Sequence, residues 1–220
     1  MRTMTRNITA TLAAAGVVAG LAGFAQVGSP AASAATAKTI PAPTAQIAVV
    51  AGKTTKVALD AGFVKALGSL KLTPGVTGDA KLSGGTLTFP ITGGFVDYWN
   101  PSLHYRPFVQ GELLHEGSGI SLTAGSKKVT LQDFIIHPGN NSYISGTVKM
   151  NGSTVGTNVD IFRLDGGTLK PVTQDSSGDT VLTGTTVYVS TTAAALLNKV
   201  YGTTAVTGSL KVGVATLTVK

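Results

Sequence analysis

The side chains best suited to bind a ligand are concentrated between positions 98 and 115 of the sequence. Tyr98, Trp99 and Tyr105 offer flat apolar rings with a polar edge. His115 and the tyrosines are of types that ligate iron, and both types serve as axial ligands of haem. Asn-Pro and Arg-Pro pairs in this window indicate irregular backbone, and loops on a rigid β scaffold often carry binding groups. The window therefore predicts a ligand site, and a second interpretation stays open, in which the same aromatics cap one end of the core.

Motifs for catalysis are weak. His115-Glu116 lacks the second histidine of a metalloprotease helix, and Gly117-Ser118-Gly119 does not match the five-residue nucleophile elbow. The carboxylates stand mostly alone at turns, so no pair suggests glycosidase chemistry. The chain has no cysteine, which excludes disulfides, thiolate metal sites and cysteine nucleophiles. We therefore predict no catalytic residue and no metal site, and keep an unrecognised hydrolase as a further alternative.

The N-terminus has the layout of a secretory signal peptide. Arg2 and Arg6 precede an apolar stretch at residues 8–24, and an Ala-Ser-Ala cleavage site follows at residues 32–34. Residues 1–34 are therefore predicted to be a signal peptide and residues 35–53 a mature N-terminal tail. No later apolar run is long enough to span a bilayer. We expect a secreted or extracellular protein, in loose association with the cell surface at most.

The overall charge bears on the partner. The net charge is +7, but the positive residues are scattered, and Lys127-Lys128 is their only adjacent pair. A nucleic-acid site would show clustered basic residues with interleaved aromatics. We therefore expect no nucleic-acid partner, and consider a component of the cell envelope instead.

Residues 54–220 read as a single β-rich domain. Short β-rich runs recur between turn signals, a pattern typical of a β-sandwich or a related Greek-key-like architecture. Two short helices are also predicted, at residues 61–67 and 193–201. The predicted strands are residues 54–59, 70–73, 85–91, 108–114, 120–123, 129–137, 143–150, 154–162, 180–189 and 210–219.

Local signals define the helix ends and one hairpin. Asp60 is expected to cap the first helix and Gly68 to end it, while Ser190 or Thr191 caps the second helix, which Gly202 ends. Asn151-Gly152 favours a type I′ turn between residues 143–150 and 154–162. A two-residue loop then predicts three facing pairs, which are Met150 with Ser153, Val148 with Val155 and Ile144 with Val159.

Several stretches together resemble a known family. They are the segments at residues 88–94, 111–117, 129–134 and 193–198, followed by Tyr201-Gly202. The pattern resembles secreted actinobacterial proteins of largely unassigned role and, more distantly, is similar to the HtaA-type haem-uptake domain. The resemblance covers roughly residue 54 to the end of the sequence and implies a β-rich domain.

The resemblance also implies a haem site. Domains of this family bind haem through a tyrosine, supported by a histidine in a Gly-His-x-Gly segment. His115-Glu116-Gly117 matches the His-x-Gly part, with Leu114 in place of the first glycine. The family's Ser-Phe-Arg-x-Tyr segment is absent, and Tyr98 is the nearest substitute.

Two functions from different classes compete. The main hypothesis is a secreted, non-catalytic structural, adhesive or interaction protein of the cell envelope, without a cofactor. The alternative is a haem- or porphyrin-binding protein, in which Tyr98 is the axial ligand, His115 its hydrogen-bond partner, and Trp99 and Tyr105 the walls of the pocket. A phenolate needs a donor or positive charge nearby, which His115 or Arg106 would supply.

Overall fold

Strands dominate the computed structural model, which describes residues 39–48 and 53–219. Its described part forms thirteen strands and two α-helices, so the predicted all-β fold with two short helices is confirmed. The predicted signal peptide lies outside the described residues. The helices are α1 (Ala61–Ser69) and α2 (Thr191–Tyr201). The strands are β1 (Ala45–Ala48), β2 (Thr54–Leu59), β3 (Thr73–Gly78), β4 (Lys81–Ser83), β5 (Thr86–Pro90), β6 (Gly93–Tyr98), β7 (Val109–Ala124), β8 (Lys127–His137), β9 (Tyr143–Met150), β10 (Ser153–Asp165), β11 (Thr173–Gln174), β12 (Thr180–Val189) and β13 (Lys211–Val219).

All of these strands belong to one antiparallel sheet. Neighbours run in the order β1-β6-β7-β8-β9-β10-β12-β13-β2-β5-β4, with β3 beside β7 and β11 beside β12. Although β2 and β7 are six places apart in this order, Thr55 Oγ1 of β2 lies 2.7 Å from His115 Nε2 of β7. Phe89 of β5 likewise meets Phe134 of β8, with ring centroids 5.5 Å apart. The sheet therefore curls until its two halves face each other, as the layers of a sandwich do.

The core lies on the inner face of this curled sheet. Successive side chains of a strand point to opposite faces, and in β6 the exposed fraction falls from 50% at Phe95 to 1% at Val96. Leu113, Ile161 and Val187 are inner-face residues of other strands, each 2% exposed or less. Burying one aliphatic side chain of this kind contributes about 1.5–3 kcal/mol.

Four strands form where none was predicted, namely β1, β4, β6 and β11. Residues 45–48, assigned to the N-terminal tail, pair with β6 as strand β1, so the ordered β structure begins before residue 54. The segment at residues 93–98, which lies outside every predicted strand, is strand β6. Gly94 makes this strand difficult to predict from the sequence. Its φ is 117°, and a Cβ there would lie 2.0 Å from the carbonyl oxygen of Glu112. A close approach of two strands requires glycine here, whereas glycine in a sequence ordinarily indicates a turn.

The predicted hairpin forms, but the predicted register is wrong beyond the turn. Met150 faces Ser153 as predicted. Val148 faces Gly156 rather than Val155, and Ile144 faces Phe162 rather than Val159. Three irregularities in β10 shift the pairing, one of them next to Asn158, whose φ is 52°. Each β-bulge places an additional residue on one strand, so the offset accumulates along the hairpin.

Other element boundaries divide into matches and corrections. The strands predicted at residues 54–59, 143–150 and 180–189 have those bounds in the structure. The segment at residues 70–73 is not a strand, because Lys71 has a left-handed φ of 54° and β3 begins only at Thr73. The two predicted strands at residues 108–114 and 120–123 are parts of β7, which continues through an irregularity at Gly117, where φ is 71°.

The helix caps follow the sequence signals, with one exception. Asp60 caps α1 and Ser190 caps α2, each accepting a backbone N–H of the first turn. Gly202 ends α2 with a left-handed φ of 66°. Gly68 does not end α1, because the helix continues to Ser69.

Candidate functional site

A groove of about 1530 Å³ lies along the inner face of the curled sheet. Pockets for small molecules are typically about 300–1,000 Å³, so this groove can hold a large one. It arises because alternate residues of many strands point inward and the facing halves of the sheet do not fill the space between them. Its walls include the apolar residues Val57, Val96, Leu113, Ile136, Val187 and Leu217.

Positive side chains stand among the groove residues. Arg106, Arg163 and Lys170 all line it and are all exposed, which places them at its rim. Each arginine lies over an aromatic ring, with Cζ 4.5 Å from the ring centroid of Phe108 for Arg106 and 4.3 Å from that of Tyr188 for Arg163. Two carboxylates, Asp160 and Asp165, line the groove as well, so its lining combines apolar walls with three cations and two anions. Such a lining suits a ligand with an apolar body and anionic groups that reach the cations.

Tyr98 lines the groove from the end of β6. It has the same strand parity as buried Val96, so its side chain belongs to the inner face, and it is half-buried. Its phenol makes no hydrogen bond to the side chains or backbone of residues 39–48 or 53–219. An inward phenol of this kind is available to a molecule in the groove.

His115 is buried in a different part of the core. Only 1% of the residue is exposed, Nε2 lies 2.7 Å from Thr55 Oγ1, and the ring meets Phe89 edge-on at 6.5 Å. Burial lowers the pKa of His115 to about 4, because the charged imidazolium would lose its hydration. It borders a small apolar cavity of about 50 Å³, lined also by Phe134, which shares Thr55 and Val57 with the lining of the groove. His115 is therefore neutral near pH 7.

The structure does not bring Tyr98 and His115 together. Tyr98 faces Val109 of β7, and His115 lies six residues farther along the same strand. At about 3.4 Å per residue, the two backbone positions are roughly 20 Å apart. A direct hydrogen bond between these side chains is therefore out of reach.

Trp99 and Tyr105 do lie together, but not in the lining of the groove. Their ring centroids are 5.0 Å apart, and Trp99 is 6% exposed. The indole Nε1 of Trp99 donates to the carbonyl oxygen of Pro41 at 2.8 Å, and the side-chain oxygen of Thr44 accepts from the backbone of Asn100. This aromatic pair therefore holds the segment leading into β1.

A row of residues that the sequence analysis did not single out crosses four neighbouring strands. His137, Tyr143, Arg163 and Tyr188 face one another in turn across β8, β9, β10 and β12. Tyr143 and Arg163 both line the groove. The pairing of Tyr143 with Arg163 depends on the shifted hairpin register, so the unbroken alternation of the sequence could not reveal it.

One arrangement resembles a serine–histidine–carboxylate triad. His137 Nε2 lies 2.9 Å from Ser145 Oγ, and its Nδ1 lies 3.7 Å from Glu112 Oε1. Ser145 is 0% exposed, however, so a substrate cannot reach its hydroxyl. These contacts hold the histidine ring in place, and they do not form an accessible nucleophile.

Comparison with known proteins gives the fold. No protein-family profile and no curated protein matches the chain. Among solved structures, the C-terminal domain of HtaA from Corynebacterium glutamicum is similar, with a TM-score of 0.54 and 12% identity, over 79% of this chain and 99% of that domain. Heme binding protein HtaB from the same organism has a TM-score of 0.49 and 10% identity, over 79% of this chain and 94% of HtaB. The chain thus has a fold like that of the HtaA C-terminal domain, and the distant similarity seen in the sequence is confirmed.

Proposed function

We propose that this protein is a non-catalytic binding protein that holds haem in its groove, with Tyr98 as the axial ligand. The observation that carries the proposal is the groove itself, which is apolar along its walls, lined by an inward phenol and edged by arginines. The fold it has in common with the HtaA C-terminal domain supports the same assignment.

The groove residues fit the chemistry of haem. A tetrapyrrole presents broad apolar faces, which the aliphatic walls accommodate, and bound haem would supply an iron atom that accepts a phenolate. Tyr98 is a tyrosine, one of the side chain types that serve as axial ligands. Arg106 lines the same groove and adds a positive charge to its lining.

His115 has a different role in this proposal from the one that the sequence resemblance implies. Its backbone lies roughly 20 Å along the strands from Tyr98, and its side chain is hydrogen-bonded to Thr55. We assign it to the packing of the core.

The competing functions have less support. The serine of the triad-like arrangement is inaccessible, which disfavours a hydrolase that uses it. A purely structural or adhesive role in the cell envelope leaves the large groove without a purpose.

Export from the cell is part of the proposal. The predicted signal peptide lies outside the described residues, so it stays a prediction from the sequence. None of the helices in residues 39–48 and 53–219 has the length and apolar character needed to cross a bilayer.

The test is a hemin titration of the purified protein, followed by its visible absorption spectrum. We expect a saturable one-to-one spectral change, and at least a tenfold loss of affinity in Tyr98→Phe, because only the phenolic oxygen is removed. Tyr105→Phe is the matched control, since Tyr105 is near in sequence but outside the groove lining, and it should bind as the parent does. A spectrum identical to that of free hemin would overturn the proposal.

A further inference from the structure

Contacts between neighbouring side chains connect the row of His137, Tyr143, Arg163 and Tyr188. His137 stacks on Tyr143 with ring centroids 4.4 Å apart and an angle of 18° between the planes. The Nε2 atom of His137 also lies 2.9 Å from Ser145 Oγ. Arg163 lies over the ring of Tyr188 at 4.3 Å. Tyr143 is thus supported by His137, and Arg163 is supported by Tyr188.

The guanidinium of Arg163 retains its hydrogen-bonding capacity. Within residues 39–48 and 53–219, no carboxylate lies within 4.0 Å of the guanidinium, and it donates no hydrogen bond to any group there. Asp165 also lines the groove, but its Oδ1 accepts from the backbone N–H of Gly167 at 3.0 Å. With its Cζ over the ring of Tyr188, Arg163 has N–H groups that an anion can accept.

The position of Arg163 links this array to the groove. It is an exposed residue of β10 that lines the groove, and Tyr143, directly opposite on β9, lines it as well. A ligand that fills the apolar groove therefore meets a planar donor fork and a phenol at this part of the rim. Because stacking already restrains Arg163, binding would cost less side-chain entropy there than at a free surface arginine.

We propose that Arg163, with Tyr143 beside it, is a carboxylate-binding site that selects ligands carrying a carboxylate next to an apolar body. This inference rests on the proposed function of the groove. The planar fork of an arginine matches a carboxylate in two parallel hydrogen bonds, which a neutral ester cannot reproduce. Arg163 would therefore be a specificity-determining residue, distinct from the axial ligand.

The test compares metal-free protoporphyrin IX with its dimethyl ester, measured by porphyrin fluorescence in one buffer containing a small fraction of dimethyl sulfoxide. Neither probe has iron, so the measurement does not depend on ligation by Tyr98. We expect the parent protein to bind the free acid at least tenfold more tightly than the diester. Arg163→Ala should lower affinity for the acid about tenfold and leave affinity for the diester unchanged.

Two further variants define the interpretation. Arg163→Lys keeps the charge but not the fork, and should recover only part of the preference for the acid. Lys65→Ala removes one positive charge from α1, away from the groove lining, and should retain the full preference.

The outcomes separate this inference from the proposed function. Equal affinity of the parent for acid and diester would overturn the carboxylate site and leave the groove proposal standing. An equal loss of affinity for both probes in Arg163→Ala would also overturn the carboxylate site, because the residue would then act only on the structure. Failure of the parent to bind either porphyrin would overturn the carboxylate site, whereas the hemin titration decides the groove proposal independently.

Discussion

His115 makes the stability of this protein depend on pH. Its pKa falls to about 4 in the folded state, whereas an unfolded histidine titrates near 6.5. Between these values the unfolded chain binds more protons, so the stabilisation is complete above pH 6.5 and is lost as the pH falls toward 4. We expect about 3 kcal/mol of the free energy of unfolding to disappear over this interval, as measured by urea denaturation at a series of pH values.

The matched variant is His115→Gln, which keeps a polar partner for Thr55 but does not titrate. This variant should remove most of the pH dependence of the free energy of unfolding between pH 6.5 and 4.5. If the variant and the parent lose stability in parallel over this range, another group is responsible.

At the level of single residues, the sequence located useful side chains but not their neighbours. Tyr98, Trp99 and His115 fall in one window of the sequence. In the structure, Tyr98 lines the groove, Trp99 anchors the segment before β1, and His115 fills part of the core. Strand β7 explains the separation, since a fully extended strand carries residues close in sequence far apart in space. Proximity in sequence is a poor guide to proximity in space wherever the chain is extended.

At the level of elements, caps and turns were predictable, whereas register was not. Asp60, Ser190 and Asn151-Gly152 act through backbone groups within a few residues, so their effect is visible locally. The bulges of β10 depend on contacts across the sheet. Without them, simple counting from the turn would place Asp160 rather than Arg163 opposite Tyr143, and the array at the groove rim would be missed.

Two glycines in helical segments should respond oppositely to the same substitution. A Cβ at Gly68 or Gly202 would meet no atom within 4 Å. Gly68 has ordinary helical conformation, so Gly68→Ala should stabilise the protein by about 0.5–1 kcal/mol. Gly202 has a φ of 66°, so Gly202→Ala should destabilise it by about 1 kcal/mol.

Chemical denaturation of both variants measures these changes. Because the space around each glycine is open, packing cannot account for a difference between them. Destabilisation by both substitutions would mean that Gly68 is needed for a reason other than helix geometry.

At the level of the whole molecule, the sequence predicted the class of fold but not a single curled sheet. Alternation of apolar and polar residues identifies a strand with one buried face, without specifying its neighbour. The groove depends on which strands face one another across the curl, so its existence could not be predicted. Only the resemblance to the HtaA-type domain carried information at this scale.

Ligand binding should stabilise the whole molecule. A ligand that binds only the folded state adds about 2.7 kcal/mol when its free concentration is 100 times its dissociation constant. Saturating hemin should therefore raise the midpoint of thermal unfolding of the parent, and raise it less in Tyr98→Phe. An unchanged midpoint at saturation of the spectral titration would show that hemin binds the unfolded chain as well as the folded protein, and therefore does not depend on the groove.

The pairing of β2 with β13 sets a condition on how the chain folds. Thr54 lies opposite Thr218, so one of the earliest described strands is completed only by the strand that follows all the others. Contacts so distant in sequence form slowly, because a long loop must close before they contribute. As the chain leaves the ribosome, β2 can pair with β5 but has an open edge until the rest of the domain is made. A chaperone that shields this edge would therefore be expected to act from the emergence of β2 until β13 has been made.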